Sequence, residues 1–250
     1  MHVALFWCCY MAVLILAWMI KGKVPPNWGQ LFWGLASSAA LFPVILAFLR
    51  WDGRTFRDVG LNFEAMSVPR LVAAAVIGVA AFTVILWVVS MIAGPIRLTR
   101  GTASPGSMVV SALTTLALAC MEELGFRGYP LRTLVQTLGM WRAQAIVAVA
   151  FGLCHVAYGW SWTNIVLGVM PWAFVFGFAA TSSRGLAMPI GVHAGVNFGQ
   201  WAVGDSTGIW KLVIDDQLRP RIGFVSRVVG IAVALIVAFL FWRLQVKEPG

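Results

Sequence analysis

Residues 107–127 read SMVVSALTTLALACMEELGFR, an apolar segment that ends in two adjacent glutamates and an arginine. Residues 101–121 carry no charge, and Glu122 and Glu123 come directly after them. A run of this length predicts a helix that crosses about 30 Å of hydrocarbon at 1.5 Å per residue. Ionisable groups inside a bilayer are costly and are usually functional. The segment therefore predicts a membrane helix that carries a polar site.

The composition of the whole chain agrees with this interpretation. Apolar residues make up 60% of the 250 residues, charged residues make up 11%, and the mean hydropathy is +0.87. A soluble domain has about 45–50% apolar and roughly 25% charged residues, so the composition excludes that class. The net charge of +9 comes from bases scattered at the ends of apolar runs. This pattern favours contact with anionic lipid headgroups and excludes nucleic acid as the expected partner.

The remaining apolar runs predict the other membrane helices. They cover residues 3–20, 30–50, 70–97, 186–203 and 224–242, and residues 142–184 form two spans separated at 158–164. We therefore expect an all-α, polytopic membrane protein with about eight transmembrane helices around an intramembrane polar pocket. It forms a single integral membrane domain, residues 1–250, with both termini on one side. We expect it to be an integral, multi-pass membrane protein, located in the plasma or inner membrane if the cell is bacterial.

Glu123 and Arg127 are spaced i, i+4, which places acid and base on one face of the helix. A stripe of leucine and valine at helical spacing continues from residue 131 to 138, so we expect the helix to extend past Arg127 despite Pro130. Arg127 is then inside the protein and neutralises Glu123. Glu122, about 100° around the helix, is left without a basic partner.

Two further segments carry polar residues into apolar runs at the same spacing. FGLCH places Phe151 and His155 on one helical face, and HAGVN does the same for His193 and Asn197. Counted from the nearest arginine, the two histidines lie roughly 20 Å and 14 Å deep, and Glu122 lies at about 15 Å in the longer helix. Similar depths predict one shared pocket. We expect it to open towards the face that carries Arg132, Arg142 and Arg184.

The three segments together resemble the family of type II CAAX prenyl proteases and bacteriocin-processing proteins, which are intramembrane glutamic endopeptidases. The family pattern is EExxxR, then FxxxH, then HxxxN on consecutive helical segments. Glu122-Glu123…Arg127, Phe151…His155 and His193…Asn197 match it in that order. The resemblance covers a motif-bearing core of about residues 107–203.

The resemblance implies an enzyme, a CAAX-type intramembrane protease that needs no cofactor or metal. Its implied substrate is a membrane-associated or lipidated peptide or protein, prenylated substrates included. Glu122 and His155 are expected to activate the attacking water, and Glu123 with Arg127 to hold the site. His193 and Asn197 are expected to stabilise the oxyanion, and Phe151 to contact the substrate.

Other interpretations of these residues stay open at the level of sequence. Two histidines and a glutamate can bind zinc, although the chain has no HExxH and Asn197 is a poor zinc ligand. A non-catalytic membrane protein, such as an immunity or partner-binding protein, could use the same pocket for binding. Glu123–Arg127 then serves as a structural ion pair, His193–Asn197 as interhelical hydrogen-bonding groups, and Phe151 as core.

Overall fold

The computed structural model describes residues 2–204 and 207–247, with side chains as far as Gln245. About 80% of the chain is helical. The helices are α1 (His2–Lys21), α2 (Pro26–Trp51), α3 (Ser67–Ala93), α4 (Pro105–Glu123), α5 (Tyr129–Leu138), α6 (Met140–Ala157), α7 (Trp162–Asn164), α8 (Met170–Ser182), α9 (Ala187–Ala202) and α10 (Arg219–Lys247).

Short irregular turns join some of these helices into longer rods. A π-helical turn at Leu124–Gly128 joins α4 to α5, and a second at Ile165–Val169 joins α7 to α8. Seven of the resulting segments are long and apolar enough to cross a membrane. Helix α9, with 16 residues, is shorter and largely buried. The prediction of an all-α polytopic membrane protein is confirmed. Seven of the eight expected spans are long enough to cross a membrane, and α9 is the expected span that falls short.

A small two-stranded antiparallel sheet was not expected from the sequence. Strand β1 (Arg97–Arg100) pairs antiparallel with β2 (Trp210–Val213), so that Arg97 lies opposite Val213. Its residues are mostly exposed and fall in segments that the hydropathy pattern assigns to helix ends and loops. Four residues per strand are too few to show a clear alternation of apolar and polar residues.

The start of α1 and the end of α10 lie at the same end of the helix bundle, as predicted. At the start of α1, His2 Nδ1 lies 2.8 Å from Asp52 Oδ1, just past the end of α2. Near the end of α10, the side chains of Gln245 and Thr181 are hydrogen-bonded at 3.2 Å. We call this end the terminal face. The opposite end, where α1 ends at Lys21 and the two-stranded sheet lies, is the sheet face.

The helix that carries the two glutamates does continue past Arg127, as the sequence predicts. It runs through the π-helical turn into α5 and ends at Leu138. Pro130 stands in the first turn of α5, where a missing N–H is tolerated. In the π-helical turn, a Cβ on Gly125 would overlap the ring of Tyr10. The absence of a side chain at Gly125 therefore allows α1 to pack directly against the glutamate-bearing helix.

Helices α3 and α9 approach each other closely because both contain glycine at the crossing. A Cβ on Gly195 would overlap the carbonyl oxygen of Ala75, and one on Gly78 would overlap that of Val192. Small residues at such crossings let membrane helices pack backbone to backbone. The contact fixes α9, the helix that carries His193 and Asn197, against α3.

We expect Gly195→Ala to lower the thermal unfolding temperature in detergent, because the added methyl group meets backbone that cannot rotate away. Overpacking of this kind costs about 1–3 kcal/mol. Gly223→Ala in α10 is the matched control, since nothing lies within 4 Å of its Cβ position. That control should be neutral or more stable, by about 0.5–1 kcal/mol. Equal unfolding temperatures for Gly195→Ala and the wild type would contradict the close packing of α3 and α9.

Candidate active site

Glu123 lies at the centre of the polar cluster and is fully buried. Its Oε1 accepts a hydrogen bond from Arg127 Nη1 at 3.2 Å and another from His193 Nδ1 at 2.8 Å. Arg127 is also fully buried and donates from Nη2 to the carbonyl oxygen of Ala173 at 3.2 Å. The predicted contact between Glu123 and Arg127 is confirmed. The Glu123 carboxylate on α4 thereby contacts α9 through His193 and is linked to α8 through Arg127.

Aromatic rings surround the guanidinium of Arg127 inside the protein. Its central carbon lies 4.4 Å from the ring centroid of Phe151 and 5.4 Å from that of Phe176. A cation over an aromatic face is stabilised by the ring quadrupole, and more so where water is excluded. Arg127 therefore has an aromatic environment in addition to its ion pair.

Phe151 occupies a different position from the substrate contact that the resemblance implied. Its side chain is 2% exposed and does not line the cavity that Glu122, His155 and His193 line. The ring packs edge-on against His155, with centroids 4.7 Å apart, and against His193, at 6.0 Å. The structure thus gives no support to a substrate contact. It places Phe151 beneath the two histidines, where its ring packs against both imidazole rings and against the guanidinium of Arg127.

His193 stands between the two glutamates. Its Nδ1 is hydrogen-bonded to Glu123, and its Nε2 lies 3.6 Å from Glu122 Oε2. An ionised carboxylate can only accept hydrogen bonds, so Nδ1 carries the proton and Nε2 faces Glu122. The ring also stacks on Phe176, with centroids 4.3 Å apart and planes 11° apart. Orientation and tautomer of His193 are therefore both fixed.

Glu122 differs from its neighbour in being reachable from a cavity. It is 8% exposed and lines the cavity wall. Within the described part of the chain it makes no hydrogen bond, and its closest basic group is His193. The sequence predicted a Glu122 without an arginine partner, which agrees with this arrangement. Of the two carboxylates, Glu122 is the one that can meet a water molecule.

His155 presents one ring nitrogen to the same cavity. Its Nδ1 lies 2.9 Å from the carbonyl oxygen of Phe151, one turn earlier in α6. Because a carbonyl oxygen only accepts, Nδ1–H is the donor and the neutral ring has an acceptor at Nε2. Edge-on contacts with Tyr158 and Trp160, both at 5.3 Å, hold the ring from the other side.

The cavity has a volume of about 620 Å³, and its lining residues lie in the parts of α1, α2, α6 and α9 that are nearest the sheet face. The prediction that it opens towards Arg142 is therefore wrong. His155 is 13 residues from Arg142 but only two from the end of α6 at Ala157, so it lies nearer the sheet face. The catalytic candidates that line the cavity are Glu122, His155, His193 and Asn197.

Several other lining residues were missed because they were assigned to membrane-interface belts or loops. The cavity mouth is built from residues of α1, α2, α9 and the turn after α6, namely Trp18, Trp33, Tyr158, Trp160 and Gln200. A usable signal was present for two of them. Tyr158 and Trp160 follow His155 so closely that a turn there brings them back over the histidine.

Two buried hydroxyls near the site are unsatisfied in the described part of the chain. These belong to Tyr10, which is fully buried, and to Tyr158. The two tyrosines lie close to each other, and Tyr158 lines the same cavity as Glu122. Buried polar groups are normally paired with protein or ordered water. The wall next to Glu122 therefore has hydrogen-bonding capacity beyond the sequence-predicted residues.

The histidines and the glutamate that could bind zinc are arranged differently from the ligands of a closed metal site. Across residues 2–204 and 207–247, no group of three or more His, Cys, Asp or Glu side chains is arranged to hold a metal ion. His193 directs one nitrogen to Glu123, and His155 directs one to a backbone carbonyl.

Comparison with known proteins gives one family match. Residues 104–199 match the family described as Type II CAAX prenyl endopeptidase Rce1-like. The matched range contains all seven residues that the sequence singled out, and the resemblance drawn from the three motifs is confirmed over it. No curated protein matches the chain. The matched family is a protease family whose members act on membrane-associated substrates. The chain itself is an integral, multi-pass membrane protein.

Proposed function

We propose that this protein is an intramembrane endopeptidase that hydrolyses a peptide bond of a membrane-associated or lipidated substrate. The observation that carries the proposal is the position of His193. One nitrogen is fixed by a buried glutamate and the other faces Glu122 at the wall of a cavity. Such an arrangement can move a proton at a defined place among membrane-spanning helices.

Glu122 acts as the general base in this proposal. A water molecule in the cavity gives its proton to the Glu122 carboxylate while its oxygen attacks the carbonyl carbon of the scissile bond. The second O–H of that water donates a hydrogen bond to His155 Nε2, which orients the water and leaves that proton on its oxygen. A positioned general base contributes about 10²–10⁴-fold in rate.

His193 and Asn197 stabilise the oxygen of the tetrahedral intermediate. With Nδ1–H held by Glu123, His193 has a donor on the cavity side only when Nε2 is protonated. Glu122 Oε2, 3.6 Å away, is the group from which that proton can come. Asn197, one turn along α9, supplies an amide N–H at the same wall. Donors placed where charge develops are among the largest contributions to catalysis.

Collapse of the intermediate returns the proton to the leaving nitrogen. The carbon–nitrogen bond breaks, the new carboxyl group keeps the water oxygen, and the amine leaves with the proton that Glu122 or His193 held. Glu123 and Arg127 take no direct part. They hold His193 in the tautomer and orientation that this transfer needs.

The test is cleavage of a lipid-anchored peptide library by the purified protein in lipid nanodiscs, with products identified by mass spectrometry. We expect new carboxyl and amino termini at a defined bond. Retention of peptides without any cleavage would contradict the proposal and would favour the non-catalytic, partner-binding alternative.

A further inference from the structure

A separate cavity lies at the terminal face, near the end of α2, the start of α3 and the turn from α8 to α9. Its volume is about 410 Å³, within the range of about 300–1,000 Å³ that small-molecule sites occupy. Its walls come from residues within 60–71 and 183–190 and from Phe42 on α2. The catalytic candidates line a different cavity, so this one is free to bind something else. We call it the terminal-face cavity.

The polarity of the wall changes with depth in the terminal-face cavity. Polar side chains, among them Ser67, Ser183 and Arg184, lie at the helix ends and turns that form its rim. The deeper wall is apolar and includes Phe42, which is nine residues before the end of α2 at Trp51, or roughly 14 Å along the helix. A charged rim above an apolar interior matches an amphipathic ligand that has its headgroup at the rim and an acyl chain inside.

Arg184 supplies an uncompensated positive charge to this rim. Two other charged residues of the wall, Glu64 and Arg70, form an ion pair at 3.3 Å and neutralise each other. Arg184 is exposed, and within residues 2–204 and 207–247 its side chain has neither a hydrogen bond nor an ion pair. The rim therefore carries one net positive charge, which attracts an anionic headgroup.

The backbone at Arg184 also indicates that its side chain has a use. Helix α8 ends at Ser182, and Arg184, two residues later, has a φ of +54°. This left-handed conformation just past a helix end is usually taken by glycine, because a Cβ atom there crowds the backbone. Glycine would therefore suit the turn better than arginine does, and the arginine is explained by what its guanidinium binds.

We propose that the terminal-face cavity binds an anionic phospholipid of the adjacent leaflet, with one acyl chain inside the cavity and the phosphate on Arg184. The proposal is independent of the proposed protease activity. A guanidinium and a phosphate form charge-assisted, often bidentate hydrogen bonds. The bilayer holds phospholipid headgroups at the level of the helix ends, where Arg184 lies, and the acyl chains below them face the apolar wall.

The experiment measures, by native mass spectrometry of the purified protein in detergent, the affinities of phosphatidylglycerol and of phosphatidylcholine with identical acyl chains. We expect one phosphatidylglycerol molecule to bind about tenfold more tightly, the effect of one hydrogen bond to a charged group. Arg184→Gln should remove this preference, and Arg184→Lys should keep part of it. Arg142→Gln is the matched control and should leave it unchanged, because Arg142 is exposed at the same face and lies outside the cavity wall.

Two further variants separate lipid binding from folding. Arg184→Gly removes the guanidinium but suits the left-handed backbone. Its unfolding temperature in lipid-free detergent should therefore be unchanged or higher, while the preference for phosphatidylglycerol is lost. Ala187→Leu on the cavity wall should weaken the binding of both lipids, because the added side chain takes space from the acyl chain.

Equal affinity for the two lipids would overturn the proposal. An equal loss of preference in Arg142→Gln and Arg184→Gln would also overturn it, because it would show a general attraction to the basic surface. Displacement of phosphatidylglycerol by an equal concentration of oleate would assign the cavity to a free fatty acid and overturn the phospholipid as its occupant. Unchanged affinity of Ala187→Leu for both lipids would overturn the position of the acyl chain.

Discussion

Glu122→Gln should lower the rate of peptide cleavage by two or more orders of magnitude while the protein still folds. Glutamine keeps the size of the side chain and much of its hydrogen bonding but cannot accept the proton of the attacking water. The loss corresponds to the roughly 10²–10⁴-fold contribution of a general base. Glu122 faces a cavity and makes no hydrogen bond in the described part of the chain, so little stability should depend on its charge.

Two comparisons make this result specific. Glu64→Gln removes a carboxylate from an exposed loop and should leave the rate unchanged. Asn197→Ala should cost about 10²–10³-fold, as expected for one oxyanion donor. Full activity of Glu122→Gln in a folded preparation would exclude Glu122 as the base.

Glu123→Gln should instead lower both stability and activity. The change leaves Arg127 as an uncompensated charge in a site where both side chains are fully buried. Breaking a buried pair by removing one partner costs about 3–5 kcal/mol. We expect a lower yield, a lower unfolding temperature in detergent, and a loss of cleavage because His193 also loses its fixed orientation.

The chain contains a matched control for burial. Glu64 and Arg70 form an ion pair at 3.3 Å, close to the 3.2 Å of Glu123 and Arg127, but both side chains are at least 40% exposed. Exposed pairs contribute about 0–1 kcal/mol, so Glu64→Gln should hardly change the unfolding temperature. Combining Glu123→Gln with Arg127→Met should recover part of the lost stability. An unfolding temperature for Glu123→Gln equal to that of Glu64→Gln would contradict the structural role of the buried pair.

The sequence predicted the residues that meet in the site because their spacing is a local property of helices. Positions i and i+4 share a face, so Glu123 with Arg127 and His193 with Asn197 could be paired before any tertiary structure was known. Helix continuation past Arg127 followed from the leucine stripe in the same way. Because an ionisable group inside a bilayer is costly, Glu122 and His155 could then be singled out as functional candidates among the few ionisable residues of the chain.

The side on which the cavity opens depends on tertiary packing, which the spacing of residues along the sequence does not determine. Depth arithmetic placed His155 below Arg142 but could not show that α6 ends two residues later. Lysine and arginine occur in similar numbers in the loops at the two ends, so charge did not decide the side either.

The roles of the aromatic residues were equally out of reach from periodicity alone. Trp18 and Trp33 resemble membrane-belt residues in the sequence, yet they line the cavity mouth. Phe151 lies on the face of α6 that the motif predicts, but Phe126 and Phe176 cover it from neighbouring helices. Arg227 resembles a basic residue that reaches the membrane interface, and the packing of α10 against α3 and α8 brings it to the wall of a smaller cavity that His193 also lines.

The most direct test of the proposed mechanism is the rate of cleavage by the purified wild-type protein before and after exhaustive chelation of metal ions. Glutamate, histidine and asparagine side chains supply every proton transfer and every oxyanion contact in the mechanism proposed above. We therefore predict less than a twofold change in rate. Loss of cleavage on chelation, with recovery on addition of zinc and one zinc bound per active protein, would contradict it and would establish a metalloprotease instead.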